Sequence, residues 1–501
     1  MSSILHRGWL AALAALALGA LTTLTFAPFE LWWLGPLICA PLYGLLRGTR
    51  PRRGMLIGWS YGFGLFGAGA SWVYVSIHDY GYTSMPLAAV LTLLFALGLA
   101  LFYLIGAAFY RLLSPRPSVV EPLTFAAAWT LGEVFRGWFL TGFPWLYLGS
   151  AHVESPLAGF APIGGVYLIS FLVALSGALL WHLAVRRRAL ALIPLAAIWL
   201  AGSALPTQWL SPDPRPIPVA LVQGDLPQLT KWSPEGQRTA VNTYLRLTRE
   251  QAGEAELVIW PETALPMFEE QAMPFYQLAQ ANMRPGSSLV TGVLTRSNGL
   301  FHNSMIALDQ QTEGGMTRSE YQKHRLVPFG EYVPLEGLLR GLLAFFDMPT
   351  SHMSPGPADQ QPLRADGLRL GAAICYEIVY PDLVRDQARQ SNILVTISND
   401  TWFGHSIGPL QHMQMAQMRA LENNRYLLRA TSNGLTAVVG PDGRILAQIA
   451  RFEPGVLTFE AHAVEGLTPF TRTGSLPIVL VSIVLVAAGA LLSRRRGGAS
   501  R

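Results

Sequence analysis

Cys375 is one of only two cysteines in 501 residues, and it sits at the end of the apolar run "LGAAICYE" (370–377), two residues before Glu377. Two other stretches carry residue types that a thiol could use. "VIWPETALP" (258–266) sets Glu262 beside prolines at the close of an apolar run. "YQKHRLVPFGEYVPLE" (321–336) carries Lys323 and Glu331 on a loop containing Pro and Gly. A cysteine nucleophile needs a base for its proton, and a carboxylate in a desolvated cleft can have its pKa raised far enough. The tetrahedral intermediate of acyl transfer needs donors aimed at its oxyanion, which an ammonium and a backbone N–H can supply. Glu262, Lys323 and Cys375 therefore read as a coherent acyl-transfer set. The bland alternative for Cys375 is a buried structural thiol, because free cysteine behaves as a small hydrophobe.

The elements around these residues alternate. Strand candidates are 217–226, 256–262, 288–296, 303–309, 368–377, 392–400 and 435–443, and helix candidates are 235–251, 381–391 and 408–424. That alternation predicts an α/β layered domain. Cys375 falls at a strand end and Pro381 opens the next helix, a place where open sheets present reactive groups and where a helix start favours a thiolate.

The chain is 51% hydrophobic and 13% charged. Its apolar residues cluster in segments near 9–26, 31–46, 55–75, 87–110, 123–140, 163–185, 190–205 and 476–492, which predicts about eight membrane spans. His6 and Arg7 before a short apolar core also fit a cleaved signal peptide, but a second span follows at once and no clear A-x-A site is present. The basic stretches 47–53, 111–117, 186–188 and 494–496 all fall on the cytoplasmic side if the N-terminus is cytoplasmic. The expected organisation is a membrane domain over 1–205, an external domain over 216–466, a C-terminal span over 474–493 and a cytoplasmic tail over 494–501. The net charge of +5 sits beside apolar segments and is no nucleic-acid signal. Cys39 lies within a span and reads as packing.

"WPE", "K-x₆-GE" and "CYE", in this order, resemble the nitrilase (carbon–nitrogen hydrolase) superfamily. The longer strings "YQKHRLVPFGEYVPLE", "ICYEIVYPD" and 398–434, set between spans, resemble the apolipoprotein N-acyltransferase family. The resemblance implies a nitrilase-type αββα sandwich on the periplasmic face of a bacterial inner membrane, with both termini cytoplasmic. It implies a phospholipid acyl donor and a diacylated apolipoprotein acceptor, with Glu262 as base, Lys323 stabilising the oxyanion and Cys375 carrying a thioester. It also implies supporting roles for Glu331, Tyr376, Glu377 and Trp232. A structural hydrogen bond or ion pair for Glu331 and Glu377, and a loop anchor for Trp232, are the alternatives. No metal or organic cofactor is expected, and the expected state is a monomer.

Other features carry two readings each. The apolar segment 334–349 suits an interfacial helix or lid, or burial in the domain's own core. Glu133 and Arg136, three residues apart in an apolar segment, suit an ion pair or a lipid or domain contact. His405 and His412 read as structural or lining residues, and Ser398, Asn399 and Asp400 as pocket-shaping. The functional alternatives are an amidase that passes the acyl group to water, or a transporter with an external domain. A single anchor would serve the amidase, and a transporter would show repeated halves.

Overall fold

The computed structural model describes residues 8–114, 118, 120–310, 316–332 and 353–498, the side chains of 310 and 494–498 excepted. The apolar segment 334–349 lies outside them. The chain divides into two compact units.

The unit drawn from residues up to His78, Thr83–Thr207 and from Thr473 onward is helical. Helices Gly8–Thr22, Leu34–Leu46, Pro51–Gly69, Met85–Leu113, Glu121–Trp138, Ala161–Ala184, Leu192–Ala204 and Leu476–Gly498 each fall on one of the expected apolar segments. Among the described residues, four stretches are long and apolar enough to cross a bilayer: Gly8–Thr25, Met85–Leu113, Pro156–Ala184 and Leu476–Ser493. Leu34–Leu46 and Ala189–Ala204 are shorter apolar helices. Small residues let helices approach where lipid gives no hydrophobic drive between them. A Cβ on Gly19 would lie 1.9 Å from Tyr61 O, and one on Gly64 2.0 Å from Leu16 O.

The described contacts of Glu133 and Arg136 do not include the expected ion pair. Arg136 Nη1 donates to the carbonyls of Phe143, at 2.7 Å, and Trp145. Glu133 Oε1 accepts from Leu148 N at 2.8 Å and Trp129 Nε1 at 3.1 Å. Backbone groups of a loop in an apolar unit must find partners, and here the two charged side chains supply them.

The second unit, Asp79–Tyr82 with Gln208–Arg472, holds two six-stranded sheets. The first contains β1 (Pro212–Gln223), β2 (Leu257–Ile259), β3 (Ser288–Ser297), β4 (Leu300–Gln310) and β5 (Met316–Gln322). The second contains β6 (Leu363–Ala365), β7 (Leu368–Ile374), β8 (Ile393–Ser398), β9 (Leu427–Thr431), β10 (Ala437–Val439) and β11 (Ile445–Gln448), while β12 (Gly455–Val464) joins the first. The orders are β12-β1-β2-β3-β4-β5 and β11-β10-β9-β8-β7-β6. In each sheet the central three strands, β1-β2-β3 and β7-β8-β9, run parallel. Strands buried on both faces read as continuous apolar runs, as "LRLGAAI" and "ILVTIS" do.

The two sheets share one core, in which Ile259, Val290 and Met305 of the first cluster with Ile374, Val395 and Ile397 of the second. Outside the first sheet, helices Pro234–Gln251 and Glu269–Ala281 bury Tyr244 and Tyr276 against Trp260. Pro381–Ala388 and Gly408–Asn423 accompany the second sheet. The sequence reading passes over Glu269–Ala281, which carries Pro274 in its interior, and over β5, whose "MTRSEYQ" is too polar to announce a strand.

Candidate active site

The parallel strands of both sheets point their C-terminal ends at one place, where open α/β sheets bind ligands. β2 leads through Trp260 and Pro261 to Glu262, and β5 ends one residue before Lys323. β7 ends at Ile374, immediately before Cys375. A short 3₁₀ turn, Cys375–Val379, separates the thiol from the helix that Pro381 opens. Cys375 itself has φ +53°, a left-handed backbone that non-glycine residues adopt at a cost and that clusters at functional sites.

Lys323 is buried beside two carboxylates. Its Nζ lies 2.9 Å from both Glu331 oxygens and 3.5 Å from Glu262 Oε1. Burial opposes its charge, but Glu331 and Glu262 outweigh burial and hold the ammonium protonated well above the usual lysine range. Asn303 Nδ2 donates to Glu262 Oε1 at 2.7 Å and to Glu331 Oε1 at 2.9 Å. Asn399 N donates to Glu262 Oε2 at 2.8 Å, and Val327 N to Glu331 Oε2 at 2.8 Å. Both carboxylates are thus fixed from several sides.

The thiol meets a mixed field. Burial pushes Cys375 up to about 12; Glu262 adds to this, Lys323 opposes it, and Asp400 adds again. The helix start expected to favour a thiolate therefore does not decide the matter. The resting group is a neutral thiol. Ser398 Oγ lies 3.4 Å from the sulfur.

Glu377 faces the protein rather than the sulfur. Its Oε1 accepts from Tyr321 OH, His324 N and Arg325 N at 3.0, 2.7 and 3.0 Å, and its Oε2 accepts from Ile374 N at 2.8 Å. Burial raises its pKa against these bonds. One side chain thereby ties the Lys323 loop to the Cys375 turn. Tyr376 is buried, its ring edge-on to Tyr380 at 5.4 Å. Trp232 is 42% exposed, whereas the neighbouring Lys231 is buried and lowered to about 8 by that burial. The same segment reaches the site through Gln228 Oε1, which accepts from Asn399 Nδ2 at 2.8 Å.

The site also includes groups to which the sequence reading gave no role. Asn303 bridges two carboxylates from within a strand, and Arg429 donates to Asp400 Oδ2 at 2.8 Å. His412, read as structural or lining, touches the backbone of Cys375, with Nε2 3.1 Å from Cys375 O. His405 lies elsewhere, its ring against Phe452 at 4.1 Å. Among the described residues, no cluster of three His, Cys, Asp or Glu groups is arranged to hold a metal ion.

Two sheets back to back, with a carboxylate, an ammonium and a thiol at their parallel strand ends, define a carbon–nitrogen hydrolase domain, and the model of that family matches residues 218–464. The model of the apolipoprotein N-acyltransferase N-terminal domain matches residues 18–179. The chain belongs to the apolipoprotein N-acyltransferase family. Its similar proteins include the apolipoprotein N-acyltransferase of Azotobacter vinelandii, 46% identical over 99% of this chain and 97% of that one. Those of Pseudomonas syringae pv. tomato (45%, covering 99% of each chain) and Photobacterium profundum (41%, covering 98% and 96%) are similar throughout as well. With its apolar helices, this makes the chain a bacterial membrane protein.

Proposed function

We propose that this protein transfers an acyl chain from a phospholipid to the α-amino group of the N-terminal S-diacylglyceryl-cysteine of apolipoproteins, through a thioester on Cys375. Glu262 takes the thiol proton as sulfur adds to the ester carbonyl, and the carbonyl π pair moves to oxygen beside Lys323. Collapse breaks the ester C–O bond, and the leaving alkoxide recovers the proton from Glu262 as a lysophospholipid. The neutral α-amine then attacks the thioester, gives its proton to Glu262 and leaves as the amide while the thiol re-forms. An amine with a pKa of about 8 has a usable neutral fraction at neutral pH. Two bulky lipid substrates can use one site in turn, because the thioester stores the acyl group between visits.

The observation that carries this reading is the placement of Lys323. It is held charged between Glu262 and Glu331, and its charge acts on Cys375. Glu331 and Glu377 act as braces, Tyr376 follows the nucleophile, and Trp232 stands on an exposed segment suited to meeting lipid. The membrane reading extends to all eight apolar helices as spans, with domain limits of 1–205, 216–466, 474–493 and 494–501. The basic loops and both termini are cytoplasmic, and the catalytic domain is periplasmic at the inner membrane. The protein acts as a monomer and needs no cofactor.

The test uses purified protein in detergent and a phospholipid labelled in its acyl chain. Label retained on the protein, released by neutral hydroxylamine and absent from Cys375→Ala supports the thioester. Its chase onto a diacylglyceryl-cysteine peptide rather than water supports the transferase. Peptide acylation by Cys375→Ala would sink the reading.

A further inference from the structure

Behind Cys375, strands β8 and β9 and the helix Gly408–Asn423 bring together Ser398, Asp400, His412 and Arg429, all buried. Their protons can be assigned in turn. Cys375 O only accepts, so His412 Nε2, 3.1 Å away, carries a hydrogen. Arg429 Nη2 lies 2.8 Å from Asp400 Oδ2 and 3.0 Å from His412 Nδ1 and has a hydrogen for each. Nδ1 therefore accepts, and the ring is neutral. Burial and the Arg429 charge lower the His412 pKa in the same sense, against Asp400. Ser398 Oγ, 2.6 Å from Asp400 Oδ1, gives its hydrogen there and turns its lone pairs towards the Cys375 sulfur. His412 Nδ1 and Asp400 Oδ1 lie 3.1 Å apart, and the guanidinium spans Nδ1 and the other carboxylate oxygen, Oδ2.

A trans peptide bond holds its C=O and N–H on opposite sides. The bond between Cys375 and Tyr376 is trans; the cis bond of the described chain is Ala27–Pro28. Holding the Cys375 carbonyl towards His412 therefore turns the Tyr376 N–H to the other side. That restraint acts on a residue whose left-handed backbone needs outside support.

We propose that His412 is a positioning residue: by holding the Cys375 carbonyl, it aims the Tyr376 N–H at the oxygen that becomes negative when the thiol adds to the acyl group. This N–H and the Lys323 ammonium then share the oxyanion's charge. Asp400 and Arg429 fix the ring's tautomer, and no proton leaves His412 during the cycle. The inference rests on the reading of Cys375 as the acyl-accepting thiol.

Two reactions of the same sulfur separate this role from a merely structural one. Alkylation by iodoacetamide passes through no oxyanion, whereas thioester formation from a labelled phospholipid does. For full-length His412→Leu, thioester formation should fall about 10- to 100-fold in kcat, with KM unchanged and alkylation within about twofold of wild type. His412→Gln, whose amide N–H replaces Nε2–H, should recover part of the loss. If the leucine variant does not fold, His412→Asn replaces it, since its amide reaches only the Nδ1 position. Equal slowing of both reactions, or wild-type thioester formation, overturns the inference. Peptide acylation by Cys375→Ala would instead remove the nucleophile reading on which it rests.

Discussion

Asn303 Nδ2 donates to Glu262 Oε1 at 2.7 Å while its second hydrogen reaches Glu331 Oε1 at 2.9 Å. One neutral side chain thus separates two carboxylates that share a single lysine, and keeps the base candidate turned to its place. Replacing Asn303 with leucine removes two hydrogen bonds to charged acceptors, each worth about 1.5–3 kcal/mol. We expect kcat/KM for peptide acylation to fall by about 10- to 100-fold or more, and the melting temperature to fall with it.

Lys323→Met leaves Glu262 and Glu331 facing each other without their cation. Removing one partner of a buried charge pair costs about 3–5 kcal/mol, so the variant should be inactive and less stable. Adding Glu331→Gln should restore much of the melting temperature without restoring acylation. Recovery of activity in the double variant would show that Lys323 serves only to neutralise Glu331. The raised Lys323 pKa gives stability that is full below the unfolded lysine pKa and lost only as pH rises through the folded value. No Lys323-dependent loss of activity should therefore be seen below about pH 10.

The site was partly legible in the sequence. Glu262 and Cys375 close apolar strand-like runs, and a sharp change from apolar to polar residues is a local signal. Asn303 gave none, because its importance comes from the β3–β4 pairing and from Lys323 N donating to Asn303 O at 2.8 Å. The direction of Glu377 depends on the 3₁₀ turn at Cys375–Val379, which periodicity over five residues does not reveal. Arg429 lies within "LLRAT", where a single charge in a short apolar strand could as well have pointed outward. The helices of the first unit were legible because each spends a whole apolar run.

With its pKa pushed up to about 12, the Cys375 thiol stays protonated throughout the neutral range. Its alkylation rate should rise about tenfold per pH unit from pH 7 to 10 without levelling, whereas an ordinary thiol levels off above about pH 9. A plateau below pH 8 would contradict the burial argument. In Glu262→Gln one cause of the upward shift is gone, so alkylation at pH 8 should be faster although acyl transfer is lost.

Gly292, on β3, faces the turn that carries the base candidate. A Cβ there would lie 2.6 Å from both Glu262 Cα and Thr263 N and 2.8 Å from Ile397 Cδ1. Gly292→Ala should therefore displace Glu262, and misplacement by about 1 Å can cost about 100-fold in rate. The measurement is kcat for acylation alongside iodoacetamide labelling of Cys375, which should persist. Unchanged acylation would mean that the turn relaxes without moving the carboxylate.

Glu262 and Lys323 hang from the first sheet, and Cys375 from the second. The gap between the Glu262 carboxylate and the thiol is therefore set by the thickness of the layer between the sheets, where Ile259 and Val290 cluster with Ile374 and Ile397. That layer works as a spacer gauge. Close-packed interiors transmit a change of even one methylene, so the rate of this enzyme is written partly in aliphatic side chains that never meet a substrate.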